Sequence, residues 1–287
     1  MKRIIFVALM LVLMVGCKPE TIEIERPLYP TEGAINARFS VSDSITVVFS
    51  MGNLQYQASS KTFRFANNQY DVVGVDNRNI DTMYTGWIDL FGWATSGYNG
   101  NEPYSTNDTN EYYGPYGVDI CRTQYDWGEH NPIMNAGNQA GQWRVLESRE
   151  WNYLIYLREG ASLRRGLATI ENVGPQGSSV CGFVLLPDKW ELPAGLEFHV
   201  GSKNGFATNL FSAGDWNQMQ AAGAVFLPAA GYRDKRQVSL INEYGCYWTS
   251  TYYTDATAEE LYFLPSGFSM STAARANGHS VRLVQNK

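Results

Sequence analysis

"YGCYWTSTYY", Tyr244 to Tyr253, packs a glycine, a cysteine, a tryptophan, four tyrosines and three hydroxyl residues into ten positions. Two readings compete for it. In one, Cys246 is a nucleophile among aromatic rings and the chain is an enzyme. In the other, Cys246 is a small residue in a buried strand whose end feeds a binding loop. A reactive thiolate needs a cation, a helix N-terminus or a histidine beside it, and the residues flanking Cys246 supply none. A buried free cysteine behaves as a small hydrophobe. The stretch therefore reads as a central strand. Trp248 belongs to the core, Cys246 fills space, and Thr249 and Thr251 bond backbone or Asx groups. Tyr252 and Tyr253 lead into an exposed loop, where tyrosine gives large contact area at low entropy cost.

The neighbouring segments extend the pattern. "AVFLPAAGYR", "AEELYFLP", "GFSMST" and "HSVRLVQ" read as further short strands. In "LYF", Leu261 and Phe263 point one way and Tyr262 the other. Alternation leaves open whether Phe268 and Met270 face water or core. Upstream, Phe39 and Val41, then Ile45, Val47 and Phe49, alternate around a Ser42-Asp43-Ser44 turn. Two segments have helical spacing. Glu147–Gly160 places Trp151, Leu154, Ile155 and Arg158 on one face. "SAGDWNQMQAAGA" begins with Ser212 and Asp215, a capping-box-like pair. "VCGFVLLPD" between them is a buried-strand run, and Asn99–Gly117 is a long aromatic loop. Many short strands and two helices predict an α+β fold on mostly antiparallel sheet.

The chain has 287 residues, 14% of them aromatic, with 22 basic and 28 acidic residues and a net charge of −6. No basic stripe is present, which argues against nucleic acid as a partner. Residues 1–16 read as a signal peptide: Lys2 and Arg3 precede a short apolar run, Ile4–Val15, and small residues before Cys17. That run is too short to span a bilayer. Residues 17–37 carry prolines and charges and read as a tether, with the alternating "TIEIE" as the rival strand. Residues 38–287 form the folded domain.

Motifs for chemistry are sparse. Cys121, Cys181 and Cys246 form no C-x-x-C pair; either two pair across the fold or all three are reduced. His130, His199 and His279 stand alone in sequence. Asp76, Asn79 and Asp81 offer oxygen ligands of the type calcium uses. Their spacing departs from the twelve-residue loop, and an Asx turn explains them equally. No cofactor is expected.

Val15-Gly16-Cys17 resembles the lipobox of bacterial lipoproteins, with Met14 where leucine is more usual. That resemblance implies cleavage before Cys17, lipidation of Cys17 and anchoring to the cell envelope, at the outer membrane. "GAVFLPAAGYR", "YGCYWTSTYY", "LYF" and "GHSVRLV" are similar to the lectin-like domain of Bacteroidetes lipoproteins, a relative of the Fibrobacter succinogenes major paralogous domain. "VVFSMGNLQYQASSKTFRFANNQYD", "GWIDLFGWATSGYNG" and "AGQWRVLESREWNYL" resemble the same group, so the likeness spans Phe39 to Val284. It implies a C-type-lectin-like fold in the branch that holds the formylglycine-generating enzymes. The reactive cysteine pair of those enzymes has no match here, so their activity is not carried over.

The C-terminal pattern also resembles lectin-like proteins diversified by retroelements. In that pattern Gly245, Trp248, Ser250, Gly278, Ser280, Val281 and Arg282 match the scaffold. The interleaved positions Arg233, Asp234, Tyr252, Tyr253, Asp255, Glu259 and Arg275 match the ligand-binding face, with Phe268 and Met270 among them. The resemblance implies a surface-anchored, non-catalytic binder of a glycan or protein. A carbohydrate-active or oxidase-like enzyme and a structural subunit of a surface or pilus assembly are the alternatives.

Overall fold

The protein, seen in a computed structural model, is described over residues 32–105, 109 and 112–287. The expected signal peptide, Cys17 and the tether as far as residue 31 lie outside these residues. Residues 33–37, read as tether, instead belong to the domain. Met51 N donates to Gly33 O, Ile35 N donates to Phe49 O, and Ile35 is buried.

The described chain is α+β, built from small sheets. The first sheet joins the two ends of the domain. β1 (Phe39–Ser40) pairs with β2 (Thr46–Phe49), β2 with β15 (Leu283–Asn286), and β15 with β5 (Arg144–Val145). The expected turn before β2 forms because Ser42 Oγ accepts from Ser44 N and Ile45 N. β3 (Leu54–Gln57) and β4 (Thr62–Phe65) make a hairpin. A four-stranded sheet runs β8 (Leu210–Phe211), β6 (Arg165–Ile170), β7 (Val180–Leu185), β9 (Val225–Pro228), with β6 and β8 parallel. β10 (Tyr232–Asp234) and β11 (Gln237–Ser239) form a second hairpin.

β12 (Gly245–Tyr252), β13 (Thr257–Leu264) and β14 (Gly267–Ala274) form an antiparallel meander. This sheet explains the double burial of "YGCYWTSTYY". One face carries Tyr247, Leu261 and Phe263 into a core with Phe49, Trp151 and Phe183. The other carries Trp248 and Ala258 into a core with Phe91, Trp93, Trp127 and Trp143. Burial of such a ring stabilises by roughly 1.5–3 kcal/mol or more. Two of the indole N–H groups are matched as well: Trp248 donates to Phe91 O at 2.7 Å and Trp93 to Thr249 O at 2.9 Å. Phe268 and Met270 pack against the first core, which settles their side of the strand.

α1 (Trp127–His130) is a single turn. α2 (Ser148–Asn152) runs on into a π turn, Tyr153–Leu157, and buries Trp151, Leu154 and Ile155 as its spacing predicts. Arg158 follows them inward, donating to Leu154 O and Leu186 O and pairing with Asp188 at 2.9 Å. α3 (Ala213–Ala221) begins with the expected capping box between Ser212 and Asp215 and buries Trp216 and Met219. No described helix is long and apolar enough to cross a membrane.

Candidate ligand-binding face

The face is built where β12 leaves its hairpin. β12 and β13 are in register from Gly245 to Trp248, then slip before Tyr252. Across the slip, Ser250 turns its backbone to other partners: its N–H donates to Leu146 O and its carbonyl accepts from Ile120 N. Such a bulge bends a strand and re-aims its side chains. Tyr252 is then fixed by Asp119 Oδ1, which accepts from Tyr252 N at 2.8 Å. The tip, 253–256, is closed by Thr254 N donating to Thr257 O at 3.0 Å and by a 2.7 Å hydroxyl bond between Thr254 and Thr257. Tyr252 also bonds Asp255 through its hydroxyl.

Beneath this tip sits Arg275, placed by sequence as a surface binding residue. The structure corrects that placement: Arg275 is 0% exposed. Its guanidinium donates to Tyr113 O at 2.9 Å and Thr254 O at 2.8 Å. It lies 4.7 Å from the Tyr252 ring centroid, 4.9 Å from Trp93 and 5.6 Å from Tyr116. The cation thus joins the 113–116 loop to the 252–256 tip from below. Burial lowers its pKa, and hydrogen bonds to carbonyls with aromatic faces around it compensate the charge.

Arg233 is corrected in the same way. It is also 0% exposed, donating to Lys235 O at 2.8 Å and Leu90 O at 3.2 Å, and burial lowers its pKa to about 10. Its backbone pairs with Gly278. Asp234 is exposed on the β10–β11 hairpin, an element separate from the 252–256 tip.

What remains at the surface is aromatic and acidic. Tyr253 is 58% exposed, with Tyr116 and Val118 exposed on the adjoining loop. Tyr252 is half-buried and Asp255 exposed. Beside them opens a groove of about 480 Å³, lined by Asp119, Glu147, Arg149, Asn152, Thr251, Glu259 and Met270. Asp119 and Thr251 make the groove continuous with Tyr252. Glu259 is the expected residue that faces it. Asp119, Asn152 and the Tyr116 loop lie far from the C-terminal motifs in sequence and meet the tip only in the fold.

The other candidates resolve as follows. Asp81 Oδ1 accepts from Met83 N at 2.7 Å, an Asx turn, and Asn79 Nδ2 lies 3.5 Å from Asp76 Oδ1. Cys121, Cys181 and Cys246 are all free. Cys246 is buried, and that burial, followed by the charge of Glu260, pushes its thiol pKa far up. The fold nevertheless gives Cys246 neighbours that its flanking sequence lacks. Glu260 lies one strand away on β13, and His279 lies on the return segment before β15.

Residues 209–284, the span from before β8 into β15, match the model of a domain of unknown function, DUF8237. No curated protein and no solved structure matches the chain. The matched span contains the tip, Arg275 and the Cys246 neighbourhood.

Proposed function

We propose that the chain is an exported, lipid-anchored binding protein of C-type-lectin-like architecture, taking its ligand at the 252–256 tip and the adjoining groove. One observation carries the reading: exposed Tyr253 and Tyr116, on loops that buried Arg275 ties together, stand beside a groove offering Asp119, Asn152, Thr251 and Glu259. Carboxylate, amide and hydroxyl groups bond sugar hydroxyls, and a tyrosine ring covers the apolar face of a sugar while its hydroxyl stays wet. A rigid support matters because ordering a loop on binding consumes affinity. These features favour a glycan over a flat protein surface.

The motifs around Trp248 and His279 support the lectin-like architecture, and the Val15-Gly16-Cys17 pattern supports the anchor. The test is an array of glycans and surface proteins probed with the full chain in detergent. Binding to a glycan that weakens in Tyr253→Ala and Glu259→Gln supports the reading. Binding to a protein with both variants unaffected sends the site elsewhere.

A further inference from the structure

Behind the face, three buried side chains meet that the ligand reading does not use. Cys246 on β12, Glu260 on β13 and His279 each offer a donor atom, and these atoms all lie within 4.8 Å of one another. They are 2%, 5% and 2% exposed. His279 Nδ1 lies 3.0 Å from Glu260 Oε2, yet neither atom makes a hydrogen bond of acceptable geometry. Two unmatched polar atoms at this depth are costly.

His279 and Cys246 are each positioned by contacts outside the cluster. The His279 backbone exchanges both hydrogen bonds with Phe91, at 2.8 and 2.9 Å. Its ring stacks on Trp248 at 4.2 Å with an interplanar angle of 22°. Cys246 faces Tyr262 across the ladder, and its carbonyl accepts from Ser280 N at 3.0 Å. The stacked rings of Tyr244 and Tyr262, 5.8 Å apart, stand alongside. Such orientation of donors by surrounding contacts is the usual support of a metal centre.

We propose that Cys246, Glu260 and His279 bind a zinc ion that ties β12 and β13 to the segment carrying Arg275. Charge argues for a divalent cation: one thiolate and one carboxylate with a neutral imidazole sum to the opposite charge, so the buried site becomes neutral. Donor type argues for zinc. Thiolate and imidazole suit it, whereas calcium and magnesium require oxygen. Bonds of about 2.0–2.3 Å place tetrahedral donors roughly 3.5 Å apart, a small contraction of the present cluster. The bound ion displaces the thiol proton and holds Cys246 as thiolate despite its burial. A water completes the fourth position.

The test is cobalt substitution in the full, detergent-solubilised chain stripped with a chelator. Stoichiometric cobalt with a thiolate-to-metal charge-transfer band is expected. The band should persist in Cys121→Ser/Cys181→Ser and vanish in Cys246→Ser. Glu260→Gln, which preserves shape, should retain the band with affinity lowered about 10–100-fold. Zinc should displace cobalt and raise the thermal midpoint of the stripped wild-type chain. A wild-type chain that binds no stoichiometric metal overturns the proposal. So does a thiolate band that survives loss of Cys246 or disappears with Cys121 and Cys181.

Discussion

Arg275 shows how far a residue's neighbours in sequence can mislead about its environment. It follows a strand and precedes Asn277-Gly278, so it reads as an exposed turn residue of the kind that dominates binding. Trp93 and the 113–116 loop, more than a hundred residues upstream, cover it instead. The expected consequence of Arg275→Ala is therefore a loss of stability, on the order of 2–4 kcal/mol, because buried carbonyls lose a charged donor. Urea unfolding followed by tryptophan fluorescence measures it. Tyr253→Ala should do the reverse: stability unchanged within about 0.5 kcal/mol and ligand affinity weakened. Cys246 gives the same lesson. Its packing role was legible from a ten-residue window, while Glu260 and His279 reach it only through strand pairing and the return to β15.

At the scale of elements, what the sequence revealed was what is locally determined. The α3 capping box is a contact between residues three apart, and it forms as its pattern predicts. Ser212→Ala should lower stability by about 1 kcal/mol, checked by urea unfolding, with ligand binding untouched. That Leu261 and Phe263 share one face of β13 and Tyr262 takes the other was equally legible, since alternation is a local property of a strand. The bulge in β12 was not, because it depends on Ser250 finding Leu146 and Ile120 as partners. The π turn after α2 was likewise hidden within an ordinary helical spacing. Gly245 marks a further tertiary demand. A Cβ there would meet the Phe263 ring at 2.0 Å across the ladder. Gly245→Ala should destabilise by about 1–3 kcal/mol through overpacking, seen as a lowered unfolding midpoint.

For the whole molecule, the meeting of β2 with β15 extends the domain's lower boundary past residue 38, because residues 33–37 pack along the closing sheet. Charge pattern and compositional breaks could not show this. The interior also sets a pH response. Burial raises Asp89 to about 6 and Asp126 to about 7, above the ordinary aspartate value. Through the window from about pH 4 to 7, the folded chain then holds more protons than the unfolded chain. The stability from these two groups is greatest below that window and is lost as pH rises through it. The urea midpoint should be higher at pH 5 than at pH 8, with a smaller difference in Asp126→Asn. The central claim is that the exposed tyrosines and the groove at the β12–β13 tip are the binding surface. The most direct measurement is calorimetric titration of the array-selected glycan into wild type, Tyr253→Ala and Glu259→Gln, each shown to be folded. The account predicts that each variant weakens affinity by about 1–3 kcal/mol. Wild-type affinity in both folded variants would contradict it.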